Sequence, residues 1–334
     1  MIPRTVPTWQ HPRWQDELAD LIKDPRELFE LLELDLNLLP AATLAHADFA
    51  LRVPRTFVRR MGKGDPSDPL LMQVLPLGEE LDTSPGYQHD PVGDLDANPV
   101  PGLIHKYHGR VLLVAAGNCA INCRYCFRRH FPYQDNQPNR KQWQAAVDYI
   151  AADPSITEVI YSGGDPLALA NKQLRWLTET ISEIPHVQRL RVHTRLPVVA
   201  PSRIDDECLE WLSQHRLQTV VVLHINHAQE IDDEVRYSLQ RLQQAGITLL
   251  NQTVLLRGVN NNIDALCELS ETLFQAGVLP YYLHLLDKVA GAQHFDVPTE
   301  QAKQLRELML NRLPGYLVPK FVQEIAGKPS KVPL

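Results

Sequence analysis

The chain has 334 residues, 44% hydrophobic and 22% charged, with a formal net charge of -7. That length holds one large domain or two ordinary ones, and the composition is that of a water-soluble globular protein. The acidic balance speaks against direct nucleic-acid binding, and no apolar run approaches the roughly 20 residues that span a bilayer.

The opening Met1-Ile2-Pro3-Arg4-Thr5-Val6-Pro7 lacks the apolar core of a secretory signal, which makes the cytoplasm the expected location. Residues 14–39 are acidic and leucine-rich, with Leu28, Leu31, Leu32 and Leu36 at helical spacing. Prolines and glycines then punctuate the chain to about residue 105, as in Asp65-Pro66-Ser67-Asp68-Pro69 and Ser84-Pro85-Gly86. Residues 1–100 therefore read as a helical and irregular N-terminal region that covers a catalytic domain.

From residue 111 the pattern changes. Strands are predicted at 111–115, 158–161, 189–192, 219–224, 248–255 and 279–283, with helices at 142–152, 172–183, 206–213, 231–245 and 262–276. Apolar strands alternating with helices at a spacing near 30 residues predict a parallel sheet. Six such units make an α/β open partial barrel, or part of a full one, over residues 101–290, followed by a C-terminal cap over 291–334. Polar groups gather where strands end. Cysteines follow the first strand, Ser162-Gly163-Gly164-Asp165-Pro166 the second, and His193 with Arg195 the third. His224, Asn226 and His227 end the fourth strand, and His284 and Asp287 the sixth. The carboxyl ends of parallel strands form one mouth, where ligands bind.

The five cysteines are too few, and odd in number, for a disulfide scaffold. Cys208 and Cys267 stand alone and read as small core residues. The other three lie in Cys119-Ala120-Ile121-Asn122-Cys123-Arg124-Tyr125-Cys126. Such a loop wraps three thiolates round a four-iron, four-sulfur cluster and leaves the fourth iron open to an exchangeable ligand. Structural zinc needs a fourth ligand, which has no paired cysteine here, and a Cys123/Cys126 dithiol leaves Cys119 without a purpose.

The spacing, with Tyr125 before the last cysteine, resembles the radical S-adenosylmethionine signature. Ser162, Gly163, Gly164 and Asp165 resemble that family's glycine-rich segment, and imply contact with S-adenosylmethionine; glycine permits close backbone approach. A closer likeness narrows the family. Val100-Pro-Gly-Leu-Ile-His-Lys-Tyr107, Cys126-Phe-Arg-Arg-His130, Asn226-His227, Gln252-x-Val-Leu-Leu-Arg-Gly-Val-Asn260, Pro280-Tyr-Tyr282 and Gly315-Tyr-x-Val-Pro319 resemble lysine 2,3-aminomutase. With Leu51-Arg-Val-Pro-Arg55 and Asp68-Pro-Leu-Leu71, the chain is most similar to short bacterial members that isomerise lysine for elongation factor P modification.

The resemblance implies a radical S-adenosylmethionine partial barrel that also carries pyridoxal phosphate and converts L-lysine to (R)-β-lysine. It implies partners as well: a one-electron reductant such as flavodoxin, a ligase and elongation factor P. Matching outward from Phe321-Val322 assigns the pyridoxal lysine to Lys331, with Lys328 second. Arg128 matches the arginine for the substrate carboxylate, Arg110 one near the pyridoxal cofactor, and Arg195 a phosphate contact. Gln252 joins the cofactor contacts. Asp287 and Glu324 match the acids that receive the distant ammonium, Glu324 with one methylene more than the family aspartate. They favour a cationic substrate over glutamate. An aminomutase of free-lysine metabolism, or one acting on glutamate or arginine, is the rival within the family, and a non-enzymatic zinc- or iron-binding module is the rival outside it.

Overall fold

Alternation along the strands decides what lies inside and outside the sheet. In the computed structural model, which describes residues 13–82, 84–134, 136 and 140–334, the sheet has nine strands in chain order. The reading of residues 1–7 lies outside the described residues. The strands are β1 (Leu103–Tyr107), β2 (Arg110–Ala116), β3 (Glu158–Gly163), β4 (Arg189–Thr194), β5 (Gln218–His224), β6 (Thr248–Val254), β7 (Leu279–His284), β8 (Lys320–Gln323) and β9 (Val332–Pro333). Neighbours from β2 to β8 run parallel; β1 and β9 are antiparallel additions at the two edges.

The six predicted strands are β2 to β7. The two added edges and β8 escaped prediction for a physical reason. The β1 register slips between Ile104 and Tyr107, β8 has four residues, and β9 has two, one of them proline. The slip breaks the alternation of β1, and β8 and β9 offer too few residues to stand out.

Val159, Tyr161, Leu190, Val192, Val221, Leu223 and Leu249 point outward into the main core. They pack with the apolar faces of helices α5 (Arg140–Ala152), α6 (Asn171–Ser182), α8 (Asp206–Ser213) and α9 (Asp233–Gln244), which follow α1 (Trp14–Ala19), α2 (Pro25–Leu32), α3 (Leu39–Asp48) and α4 (Arg55–Val58), with the short α7 (Leu196–Val199) between α6 and α8. Further on come α10 (Ile263–Gln275) and α11 (Thr299–Arg312). Caps fix where these helices begin: Asp205, Asp232 and Asn262 accept from Cys208, Val235 and Ala265 backbone N–H groups at 2.7, 2.9 and 2.9 Å.

The alternate residues, among them Ile160, Ser162, His193, His224, Gln252 and His284, face inward and line a cavity of about 900 Å³. All nine strands contribute to that lining, so the sheet curls round it as an open partial barrel. A closed eight-stranded barrel fills its interior with side chains; this one keeps a chamber.

In the N-terminal region the leucine periodicity stops where α2 ends, at Glu33 with φ 53°. Leu28 and Leu32 are buried, whereas Leu36 lies beyond that break and is exposed. The rest of the region grips the cysteine loop. Asn122 donates from its backbone to Arg52 O at 2.9 Å and from its side chain to Ala50 O at 2.8 Å. The Arg124 backbone N–H reaches Gln73 O at 2.9 Å. Its guanidinium bonds Met72 O at 3.0 Å, Glu79 at 2.8 Å and Glu80. No helix among the described residues is long and apolar enough to cross a membrane.

Glu80 has no side-chain exposure, so losing its partner strands a buried carboxylate. Arg124→Ala is expected to cost about 3–5 kcal/mol in urea denaturation, well beyond a surface substitution; a cost below about 1 kcal/mol would contradict the grip.

Candidate active site

β3 ends at Gly163 with φ 108°, in the left-handed region that suits glycine. A Cβ there would lie 2.6 Å from Ala116 O, and one on Gly164 would lie 2.4 Å from Asn118 O. Gly164 N donates to Ala116 O at 2.8 Å and Asp165 N to Asn118 O at 2.9 Å. The close approach expected of this glycine pair is therefore, first, an approach to the backbone that leads into Cys119. Asp165, expected among cofactor contacts, has both carboxylate oxygens engaged. It accepts from Leu167 N at 3.0 Å, Thr194 Oγ1 at 2.7 Å, Arg195 N at 2.7 Å and Leu196 N at 3.1 Å. It clamps the loop after β3 to the loop after β4.

Cys119, Cys123 and Cys126 all open on the cavity, and the loop turns back so that Cys126 N donates to Cys123 O at 3.0 Å. Cys208 and Cys267 are buried in α8 and α10, outside that lining. Burial, then the neighbouring cysteine, pushes the Cys126 thiol up to about 11 and Cys119 well above its ordinary value. Metal binding must therefore expel thiol protons. Three sulfurs of one loop facing one chamber fit a cluster with an open iron.

Arg195, expected as a phosphate contact, directs its terminal nitrogens elsewhere. They donate to Cys123 Sγ, Tyr125 Oη, Gln73 Oε1 and Glu230 Oε2 at 2.8, 2.8, 2.7 and 2.9 Å.

The remaining charges lie in the same chamber. Arg128 donates to Asp94 at 2.7 Å and to Ser162 Oγ at 3.2 Å, while Asp94 also pairs with Lys106 at 2.5 Å. Burial opposes ionisation of Asp94, but Arg128 and Lys106 hold its carboxyl below the usual range. Lys331 Nζ lies 2.7 Å from Glu324 Oε2, and Glu324 Oε1 accepts from the Tyr107 hydroxyl. Burial again opposes the charge on Glu324, and Lys331 overcomes it. Lys328 is exposed and outside the lining. Arg110 lies over the Tyr107 ring at 4.7 Å and has no ion pair among the described residues.

Gln252 faces inward from β6. Oδ1 of Asp287 is buried and unpartnered, and desolvation raises the carboxyl to about 7. Nε2 of His193, His224 and His284 is likewise buried without a partner. Burial lowers all three imidazoles, His224 to about 3, so they face the cavity neutral. Orphaned polar atoms at this density are rare in proteins, and here they fit a polar ligand that completes them. A chamber of this size is within the range of small-molecule and cofactor sites.

Gln73, Asp94, Tyr107 and Glu230 were not singled out from the sequence. Gln73 and Asp94 lie in the irregular N-terminal region, where no period marks an inward face. Tyr107 closes the motif of residues 100–107 without a role having been given to it, and Glu230 follows the Asn226-His227 motif by three residues.

The Radical SAM superfamily model matches residues 113–269. L-lysine 2,3-aminomutase of Escherichia coli (strain K12) is 50% identical over 331 residues, 99% of this chain and 96% of that protein. The Haemophilus influenzae enzyme of the same name is 48% identical over 99% of this chain and 98% of its own. Among solved structures, a radical SAM methyltransferase from Sphaerobacter thermophilus aligns over 66% of this chain and 68% of its own, at 17% identity and a TM-score of 0.45.

Gly164→Ala must push the Asn118 backbone away, an overpacking cost of about 1–3 kcal/mol. The expected result is a barrel with normal far-ultraviolet circular dichroism that retains less iron after anaerobic reconstitution; full iron retention would refute the packing account. Because the folded Asp287 carboxyl titrates above its unfolded value, its contribution to stability is present at low pH and is lost as pH rises towards 7. Asp287→Asn should therefore gain stability on the unaltered protein between about pH 5 and about pH 8 in chemical denaturation, whereas a pH-independent difference would contradict the shift.

Proposed function

Because the chain belongs to the L-lysine 2,3-aminomutase family of radical SAM enzymes, we propose that it isomerises L-α-lysine to (R)-β-lysine. The observation that carries this reading is the joint lining of one chamber by three thiols, Arg128, Lys331, Glu324 and Asp287. Cys119, Cys123 and Cys126 would hold the cluster, with S-adenosylmethionine beside Ser162, Gly163 and Gly164. Pyridoxal phosphate would be carried by Lys331, its phosphate drawn to the unpaired Arg110. When bound, these groups supply a carbon-centred radical and a conjugated system that lets nitrogen pass between adjacent carbons.

The chain's own residues orient the substrate. Arg128 receives the carboxylate, and Asp94 and Ser162 fix its guanidinium for that pairing. Asp287 and Glu324 receive the distant ammonium, a charge that would otherwise be costly to bury. Lys331 must lose a proton before it acts as an amine, and Glu324 Oε2 at 2.7 Å is the acceptor within reach. Tyr107, bonded to the same carboxylate, steadies it between these tasks. The N-terminal wall on the cysteine loop excludes water from the radical chemistry.

The product is proposed to supply β-lysine, through a ligase, for elongation factor P modification. The segments 51–55 and 68–71 support this narrower assignment. The first braces the cysteine loop, where Arg52 O holds Asn122, and in the second Asp68 caps its own turn by accepting from Leu70 and Leu71 N–H at 2.9 Å. A one-electron donor such as flavodoxin would reduce the cluster.

Anaerobic incubation with L-lysine, S-adenosylmethionine and dithionite, followed by chiral analysis, should yield (R)-β-lysine. Its absence from cofactor-replete protein would refute the reading. Lys331→Ala is expected to lose the pyridoxal absorbance and keep the iron–sulfur spectrum, and retention of the pyridoxal band would move the assignment elsewhere. A ligase assay offered both lysine isomers tests the translation-factor role; equal use of α-lysine counts against it.

A further inference from the structure

Arg195 is held at both ends. Its backbone N–H is fixed on Asp165, and its guanidinium is spread over Cys123, Tyr125, Gln73 and Glu230. Glu230 is fixed in turn: Oε1 accepts from Asn226 N at 2.8 Å, His227 N at 3.2 Å and Gln73 Nε2 at 3.3 Å. Side-chain exposure is 6% for Arg195 and none for Glu230. A charge pair this dry acts on its neighbours with little screening by solvent or salt. Nothing in the handling of substrate described above uses either residue, yet the cation donates directly to a cysteine sulfur.

We propose that the Arg195–Glu230 pair sets the reduction potential of the cluster held by the three-cysteine loop. This rests on the radical SAM reading of that loop. One-electron reduction by an external donor adds one negative charge to the cluster, part of it on the cysteine sulfurs. A fixed N–H donor and a positive charge at Cys123 stabilise the reduced form and make the potential less negative. Hydrogen bonds to the sulfurs, net charge and solvent exposure are the levers by which proteins tune such clusters. Glu230 has the opposite sign and lies one guanidinium further away, so it moderates the cation rather than cancelling it. Gln73 and Tyr125 fix the orientation: both bond the guanidinium, so it cannot turn away from the sulfur. Arg195 and Glu230 are thus positioning residues for electron uptake, and their effects have opposite directions.

The test uses the full chain, reconstituted anaerobically, with iron and sulfide counted before each measurement. Redox titration followed by electron paramagnetic resonance of the reduced cluster gives the midpoint potential. Arg195→Gln should move the midpoint to more negative values and Glu230→Gln to less negative ones, with Arg195→Lys between Arg195→Gln and the unaltered protein. Opposite displacements are the signature, because a general loosening of the loop would move both variants the same way. Midpoints that coincide with the unaltered protein at full iron content, or that shift in one common direction, overturn the proposal. If Arg195→Gln assembles no cluster, Glu230→Gln decides alone: a less negative midpoint supports the pair and an unchanged one refutes it. Loss of the cluster from both variants also overturns it, in favour of a role in building the loop. Absence of iron and sulfide from the unaltered protein would instead defeat the radical SAM reading, which keeps the two failures distinct.

Discussion

The Asp165 carboxylate is the joint on which the site hangs. The residue's own N–H rests on Asn118 O, its two oxygens take four donors, and those donors belong to the segment after β3, the last residue of β4 and the turn that follows it. Three strand ends are thereby fixed relative to one another. The cysteine loop is set on Gly164, and Arg195 is set towards Cys123. Burying a carboxylate is costly, and desolvation does raise this one above the ordinary aspartate range. Four hydrogen bonds offset that cost and hold the loops in one arrangement.

Around this joint the chamber holds charge of both signs. Arg128 and Lys106 share Asp94, leaving an excess of positive charge. Glu324 pairs with Lys331, and the nearby Asp287 carboxyl has no ion pair among the described residues. An amino acid with a cationic side chain has the complementary dipole: carboxylate at one end, ammonium at the other. Neutral histidines line the space between without adding charge of their own. Selection by such a chamber requires that both ends be satisfied at once, since a buried charge left unpaired costs several kcal/mol.

Much of this was legible in the sequence because repetition exposes it. Six strands betrayed themselves by apolar runs at a common spacing, and the polar residues at their ends converged on one mouth, as parallel strands require. The cysteines announced a cluster by spacing alone. The roles of Lys331, Asp287 and Glu324 came from resemblance, since isolated lysines and acids near a terminus carry no period. Hidden altogether were contacts made by irregular backbone. Gln73 sits in a short 3-10 helix and Asp94 in a turn, whose inward faces no pattern marks, and Gly163 and Gly164 serve packing contacts that only the folded neighbours at Ala116 and Asn118 reveal. The reading of Asp165 as a cofactor contact came from the resemblance of its segment, whereas the donors that surround its carboxylate appear only in the fold.

The two edges of the sheet do not hydrogen-bond to each other through their backbones. Tyr107, on one edge, instead reaches Glu324 just beyond β8, and Glu324 holds Lys331 just before the other edge strand, β9. The barrel is laced shut by side chains. The first and last strands are thus fastened through one carboxylate, so whatever engages Glu324 or Lys331 bears on both edges of the sheet at once.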